Sequence, residues 1–150
     1  MGIESGVLRF TVSGRPQGKA RPRASSRGGS VRMYNPPASA AYQRSVAAAA
    51  TAALMAGDSQ WDAAAAIPYL PAGTPVRLVV LVAFATKDKR REGSPCQMKP
   101  DLDNTLKAVM DGLTGVLYPD DASVVLIEAV KIYAAESRVD VLAAWGPQEV

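Results

Sequence analysis

The sequence contains no histidine and a single cysteine, Cys96, in 150 residues. Without imidazole there is no Ser-His-Asp triad, no histidine general base and no histidine-ligated zinc. With one thiol there is no intrachain disulfide and no multi-cysteine metal or iron–sulfur centre within one chain. A metal centre built from what remains rests on carboxylate oxygens, which suits magnesium, manganese or calcium. Long apolar runs are missing too, since none reaches the roughly 18 residues that a membrane span needs. The opening residues, MGIESGVLRF, lack the basic-then-apolar layout of a secretory signal, and Gly6 stands where a myristoylation signal places Ser or Thr. The expectation is a cytoplasmic protein whose length suits one domain with its own core.

Charge is present but unevenly spread. The net charge is +3, yet residues 1–50 hold eight cations (Arg9, Arg15, Lys19, Arg21, Arg23, Arg27, Arg32, Arg44) against Glu4 alone. Residues 101–150 reverse this, with three cations against nine acids, among them Asp101, Asp103, Asp111, Asp120 and Asp121. A basic first third and an acidic last third suggest a polyanion-binding region and an acidic site.

Hydrophobic periodicity gives the element order β-α-β-α-β-β. Residues 7–12 alternate and read as a strand. Residues 13–37, rich in Gly, Pro, Ser and Arg, read as a long basic loop. Residues 39–56 are Ala-rich and helical, with Ser39 as a candidate N-cap and Gly57 as a stop. Residues 58–73 read as an irregular connection with one helical turn at 63–66. Residues 76–86 are apolar on both faces and read as a central strand. A second basic loop, 87–100, carries Lys87, Lys89, Arg90 and Arg91. Residues 103–113 form the clearest amphipathic helix, with Leu106, Val109, Met110 and Leu113 on one stripe and Gly112 and Gly115 near its end. Residues 124–133 and 138–145 read as two strands of an antiparallel hairpin. The sum is a single α+β domain spanning 1–150, with a small mixed sheet and two main helices.

The chemistry concentrates in KPDLDNTLKAVMDGLTGVLYPDDASVV, residues 99–125. Asp101 and Asp103 are two apart in an extended stretch, so their carboxylates can share a side. Asp103, Lys107 and Asp111 follow at four-residue spacing on the helix's polar face. Asp120 and Asp121 sit at a turn before a strand. If Asp121 folds back on Asp101 and Asp103, each like-charge pair at about 5 Å repels by roughly 3 kcal/mol at an effective dielectric near 20. Three pairs approach about 10 kcal/mol, the size of a domain's whole stability, which Lys107 alone does not offset. That arrangement calls for a divalent cation. The same residues also admit separate roles: an N-cap at Asp103, a surface pair with Lys107, and turn residues at 120–121.

The stretch GRPQGKARPR, 14–23, spaces cations along a chain that Gly and Pro keep from becoming helical. Arg15, Lys19, Arg21 and Arg23 there, with Arg32 and Tyr34 beyond, suit the regular charge of a nucleic-acid backbone, as do Lys87, Lys89, Arg90 and Arg91. A solvated, solubilising arm has the same composition. Neither patch reads base sequence. Cys96, without a histidine partner, reads as incidental. Trp61, Tyr69, Tyr118 and Trp145 read as core or interface residues rather than base platforms.

The pattern D-x-D-N, a lysine four residues after the second Asp, a further Asp on the helix and then D-D-x-x-V resembles the RusA family of Holliday junction resolvases, endonucleases common in prophages. It is carried here by Asp101, Asp103, Asn104, Lys107, Asp111, Asp120, Asp121 and Val124. GRPQGKARPR with the later Tyr-Asn-Pro, and the closing strands with Lys131, resemble the same family. The resemblance covers most of the chain, 58–73 excepted. It implies a Mg²⁺- or Mn²⁺-dependent endodeoxyribonuclease that cuts four-way junctions in DNA recombination and repair, working as a homodimer. By position it assigns metal binding to Asp101, Asp103 and Asp121, catalysis to these and Lys107, and supporting roles to Asp111 and Asp120. The alternatives are a nuclease for other branched DNA and a non-catalytic DNA-binding protein with a structural cation site.

Overall fold

The computed structural model describes residues 4–147 except residues 22 and 35, and gives Arg23 and Arg27 as backbone only. Asn35 of the Tyr-Asn-Pro triplet, the Arg23 side chain and Glu149 therefore lie outside the described residues. The elements run β1 (Gly6–Ser13), β2 (Arg23–Arg27), β3 (Ser30–Tyr34), α1 (Pro37–Gly57), β4 (Val76–Ala85), α2 (Leu102–Leu113), β5 (Val124–Ala134) and β6 (Arg138–Trp145), with short 3-10 turns at Ala63–Ala65, Lys89–Arg91 and Asp121–Ser123. This is the expected α+β domain with two helices and a mixed sheet.

The main sheet has the order β1-β6-β4-β5. β4 pairs antiparallel with β6 and parallel with β5. The hairpin expected between β5 and β6 is therefore absent, because β4 lies between them. The apolar face-to-face run of β4 explains this: Val76, Leu78, Val80 and Val82 are buried, and a strand so apolar is best covered with a neighbour on each edge. The short connection after β5 crosses the end of β4, where the Ser137 hydroxyl accepts from the Ala85 N–H at 2.9 Å.

Residues 13–37 are not all loop. Residues 23–34 form a two-stranded antiparallel ribbon in which Arg27 pairs with Ser30 across Gly28-Gly29. Both glycines have positive φ, 63° and 82°, which a two-residue hairpin turn requires and which side chains beyond Cα oppose. Gly-Gly between alternating residues was the sequence signal for this turn.

α1 starts at Pro37 rather than at Ser39, since proline suits the first helical turn; Ser39 is instead buried and accepts from the Ala20 N–H at 3.3 Å. α1 and α2 pack together through Gly112, the penultimate residue of α2, near the helix end as expected. A Cβ there would meet Val46 Cβ at 2.6 Å, so only glycine permits this approach. Val46, Ala50, Val109, Leu113 and the inward residues of β4 and β6 close one core. Tyr69 joins Trp61 and Trp145 edge-to-face, with centroids 5.7 and 5.9 Å away, so these rings are structural as expected. Among the described residues no helix is long and apolar enough to cross a membrane.

Candidate active site

α2 presents its apolar stripe to α1 and the sheet, and so leaves Asp103, Asn104, Lys107 and Asp111 on its outer side. Asp101 is the residue before the first turn, but its carboxylate does not cap the helix. It is taken by Lys99 Nζ at 2.5 Å, and this bond holds the carboxyl below the usual carboxylate range. Asp103 is not the cap either. It is exposed in the first turn and has no hydrogen-bond or ion-pair partner among the described residues.

Lys107 does not pair with Asp103. Its ammonium lies 2.5 Å from Asp121 Oδ2 and 3.1 Å from Asp111 Oδ1. The hydrogen bonds that it donates to Asp121 and Asp111 raise its pKa above the ordinary lysine value. Asp111 is shared in turn with Lys19, whose Nζ is 2.8 Å from Asp111 Oδ2. The result is an alternating row, Lys19–Asp111–Lys107–Asp121, in which each charge faces its opposite. Surface pairs of this kind stabilise a fold by only about 0.2–1 kcal/mol each. The row is therefore poorly explained by stability alone.

Three loops hold the row in place. Successive carbonyls of the stretch before α2 accept from two cations: Met98 and Pro100 from Lys131 Nζ, and Lys99 from Arg15 at 3.2 Å. Arg15 and Lys131 also lie over the buried Phe84 ring, at 5.4 and 5.7 Å from its centroid. The segment leading from α2 to Asp121 is held by residues 69–70, whose N–H groups donate to the carbonyls of Val116 and Leu117 at 2.8 Å. The segment 58–73 thus supports the site from outside it. Tyr118, fully buried, donates to the Met110 carbonyl at 2.9 Å and ties the stretch before Asp121 to α2. Burial, followed by the negative charge of Asp121, Asp111 and Asp120, pushes its hydroxyl pKa upward. Asp120 accepts from the Ala122 N–H at 2.9 Å, which lowers its pKa and makes it the cap of the short turn.

The segment 14–20 is also docked. A Cβ on Gly18 would meet Pro100 Cβ at 3.0 Å and Asn104 Cβ at 3.1 Å, and the Lys19 N–H donates to the Asn104 carbonyl at 2.9 Å. Arg15 and Lys19 are thus engaged at the acidic site, while Arg21 stays exposed. In the second basic stretch Asp88 pairs with Arg90 at 3.1 Å, and Arg91 lies 4.2 Å from the Tyr133 ring centroid. Lys87 and Lys89 are exposed, without ion-pair partners among the described residues. Cys96 is buried, in keeping with an incidental thiol.

The sequence leaves two arrangements open for these carboxylates, one crowded spot or separate roles. Among the described residues no three acidic, histidine or cysteine side chains gather closely enough to hold a metal ion together. Instead the Lys107 ammonium separates Asp111 from Asp121. The donor chemistry still fits a hard cation: Mg²⁺ keeps most of its waters and takes one or two carboxylates plus substrate phosphate oxygens. The free Asp103 carboxylate and the exposed Asp101 are donors of that type. Sequence reasoning had not placed Lys19, Lys131 and Arg15 as internal partners of this region. The exact-spacing motif marked α2, but nothing local marks which distant cation reaches it.

Comparison with known proteins agrees with this architecture. Residues 13–142 match the family described as Endodeoxyribonuclease RusA. The chain is 33% identical over 141 residues to the uncharacterized protein YqaN of Bacillus subtilis strain 168, covering 90% of this chain and 94% of the relative. It is 34% identical over 68 residues to the crossover junction endodeoxyribonuclease rusA of Lactococcus phage r1t, covering 45% of this chain and 52% of that protein. Since the family match takes in β1's end, both helices and most of β6, the chain belongs to the RusA endodeoxyribonuclease family.

Proposed function

We propose that this protein hydrolyses DNA phosphodiester bonds at four-way junctions, as a homodimer in the cytoplasm of a bacterial or phage-infected cell, in recombination and repair. Asp101, Asp103 and Asp121, the positions that the family motif assigns to metal, would hold Mg²⁺ or Mn²⁺ through one or two carboxylates at a time together with substrate phosphate oxygens. When bound, the cation supplies Lewis-acid stabilisation of phosphoryl charge and a source of nucleophilic water at neutral pH. The observation that carries the reading is the placement of Lys107: a half-exposed ammonium held by Asp111 and Asp121 on the helix that bears Asp103. A cation so fixed in advance can meet the extra negative charge of a phosphodiester transition state without reorganising. Lys19 shares Asp111 with Lys107, so Asp111 alone does not neutralise the ammonium that a phosphate would meet. Lys87 and Lys89 extend the positive surface for DNA arms.

The test is nicking of synthetic junctions with and without Mg²⁺. Asp103→Asn is expected to lower the cleavage rate by at least about 10²-fold while junction binding persists. Wild-type cleavage by that variant removes Asp103 from the site. Equal cutting of flaps and forks moves the substrate to branched DNA in general. Tight binding with no cleavage at any Mg²⁺ or Mn²⁺ concentration leaves a binding protein instead.

A further inference from the structure

The β2–β3 ribbon has two chemically different faces, and its described side chains are exposed on both. All five residues of β3 are exposed. Val31 and Met33 are two apart and share one face, 69% and 65% exposed, opposite Ser26 and Ala24. Ser30, Arg32 and Tyr34 fall on the other face, and with Ser25 they line a shallow surface groove. Arg32 has no ion-pair partner among the described residues. An isolated two-stranded ribbon is marginal in water unless something covers its apolar side. Here that side stays open.

Charge identifies the cover. The ribbon's sequence contains Arg23, Arg27 and Arg32, and there is no Asp or Glu between Glu4 and Asp58. A basic ribbon without acids suits a polyanion, while an apolar face needs flat apolar surface. Nucleic acid offers both at once where its bases leave the stack. A two-stranded ribbon has the width of a DNA groove, and apolar side chains, Met among them, are used as wedges between base steps.

We propose that the β2–β3 ribbon enters the branch point of the DNA and that Val31 and Met33 cover unstacked bases there, while Arg32 on the opposite face meets the phosphate backbone. This rests on the branched-DNA reading above and adds to it a device that opens the substrate. The stretch 14–20, docked against α2, leads within a few residues into the ribbon, so a ribbon at the branch point would limit the distance from the branch to the acidic row. The arrangement makes the wedge a determinant of where cutting occurs relative to the branch.

The experiment binds the full chain, in EDTA, to a synthetic four-way junction carrying 2-aminopurine at the branch point. Wild type is expected to raise the fluorescence by about twofold or more as the base leaves its stack. The exposed double variant Val31→Ser/Met33→Ser should lose that rise and keep its thermal melt, and Met33→Phe should retain the rise. No rise with wild type, or an undiminished rise with the double variant, overturns the proposal. A double variant that turns a wild-type dimer into a monomer assigns the face to a second copy and also overturns it. Because cleavage is not read here, loss of the wedge and loss of the nuclease reading are separate outcomes.

Discussion

Two neighbouring stretches of the chain carry the same kind of charge and do opposite things with it. Residues 14–20 lie against α2: Gly18 touches Pro100 and Asn104, Lys19 pairs with Asp111, and Arg15 binds the Lys99 carbonyl. A few residues later, β2 and β3 stand clear, with Arg32 unpaired among the described residues and Val31 and Met33 exposed. The first group of cations is spent inside the protein, neutralising or anchoring. The second is available to a ligand. Counting Lys and Arg does not separate the two; the location of the nearest acid does.

Substitutions on each side sharpen the contrast. The largest effect is expected from Lys19→Met. If Lys19 is an internal partner, its loss frees Asp111 to compete for Lys107, and the cleavage rate should fall by about 10–100-fold with KM and the salt dependence of binding unchanged. Lys19→Arg should restore part of the rate. A raised KM with unchanged kcat would make Lys19 a DNA contact and erase the distinction. Next comes Gly18→Ala, which brings a methyl against Pro100 and Asn104 at 3.0–3.1 Å. It is expected to cost about 1–3 kcal/mol of stability, seen as a lower urea midpoint. An unchanged midpoint would show that the stretch is not docked in solution. The smallest effect is Arg32→Ala on the ribbon: no change in urea midpoint, and a slope of log binding constant against log salt shallower by about 1. A destabilised Arg32→Ala protein would place that side chain inside the fold after all.

Much of the site was legible in the sequence because it is local. Asp101, Asp103, Lys107 and Asp111 fall on or beside one helix, and helical period alone puts Lys107 next to Asp111. The stripe of Leu106, Val109, Met110 and Leu113 told which side of that helix was buried. What period could not tell is the direction of the pairing. Lys107 turned to Asp111 and Asp121 rather than back to Asp103, since the segment held by Tyr118 and by residues 69–70 brings Asp121 to that side. The cap was also misplaced: Asp101 stands at that position, and its carboxylate is diverted to Lys99.

The sheet shows the same division. Each strand of the main sheet was visible from its own residues, and β4 was visibly central. The partners of β5 and β6 were not, because adjacency in sequence favours a hairpin while burial of β4 favours a neighbour on either side. The β2–β3 ribbon is the converse case, a local hairpin hidden within a basic, weakly periodic stretch and betrayed only by Gly28-Gly29.

By itself, then, the sequence determined the element types of the main sheet and the two helices, the buried stripe of α2, the absence of imidazole and multi-cysteine chemistry, and an acidic motif with a lysine at a fixed helical offset. Those follow from backbone period and side-chain chemistry, which act over a few residues. Only the tertiary structure decided which cations are spent internally, that Asp121 meets Lys107, that Lys131 and Arg15 hold the stretch before α2, and that β4 parts β5 from β6. These contacts join residues tens of positions apart, and they are set by which surfaces must be covered together, a condition no local pattern contains.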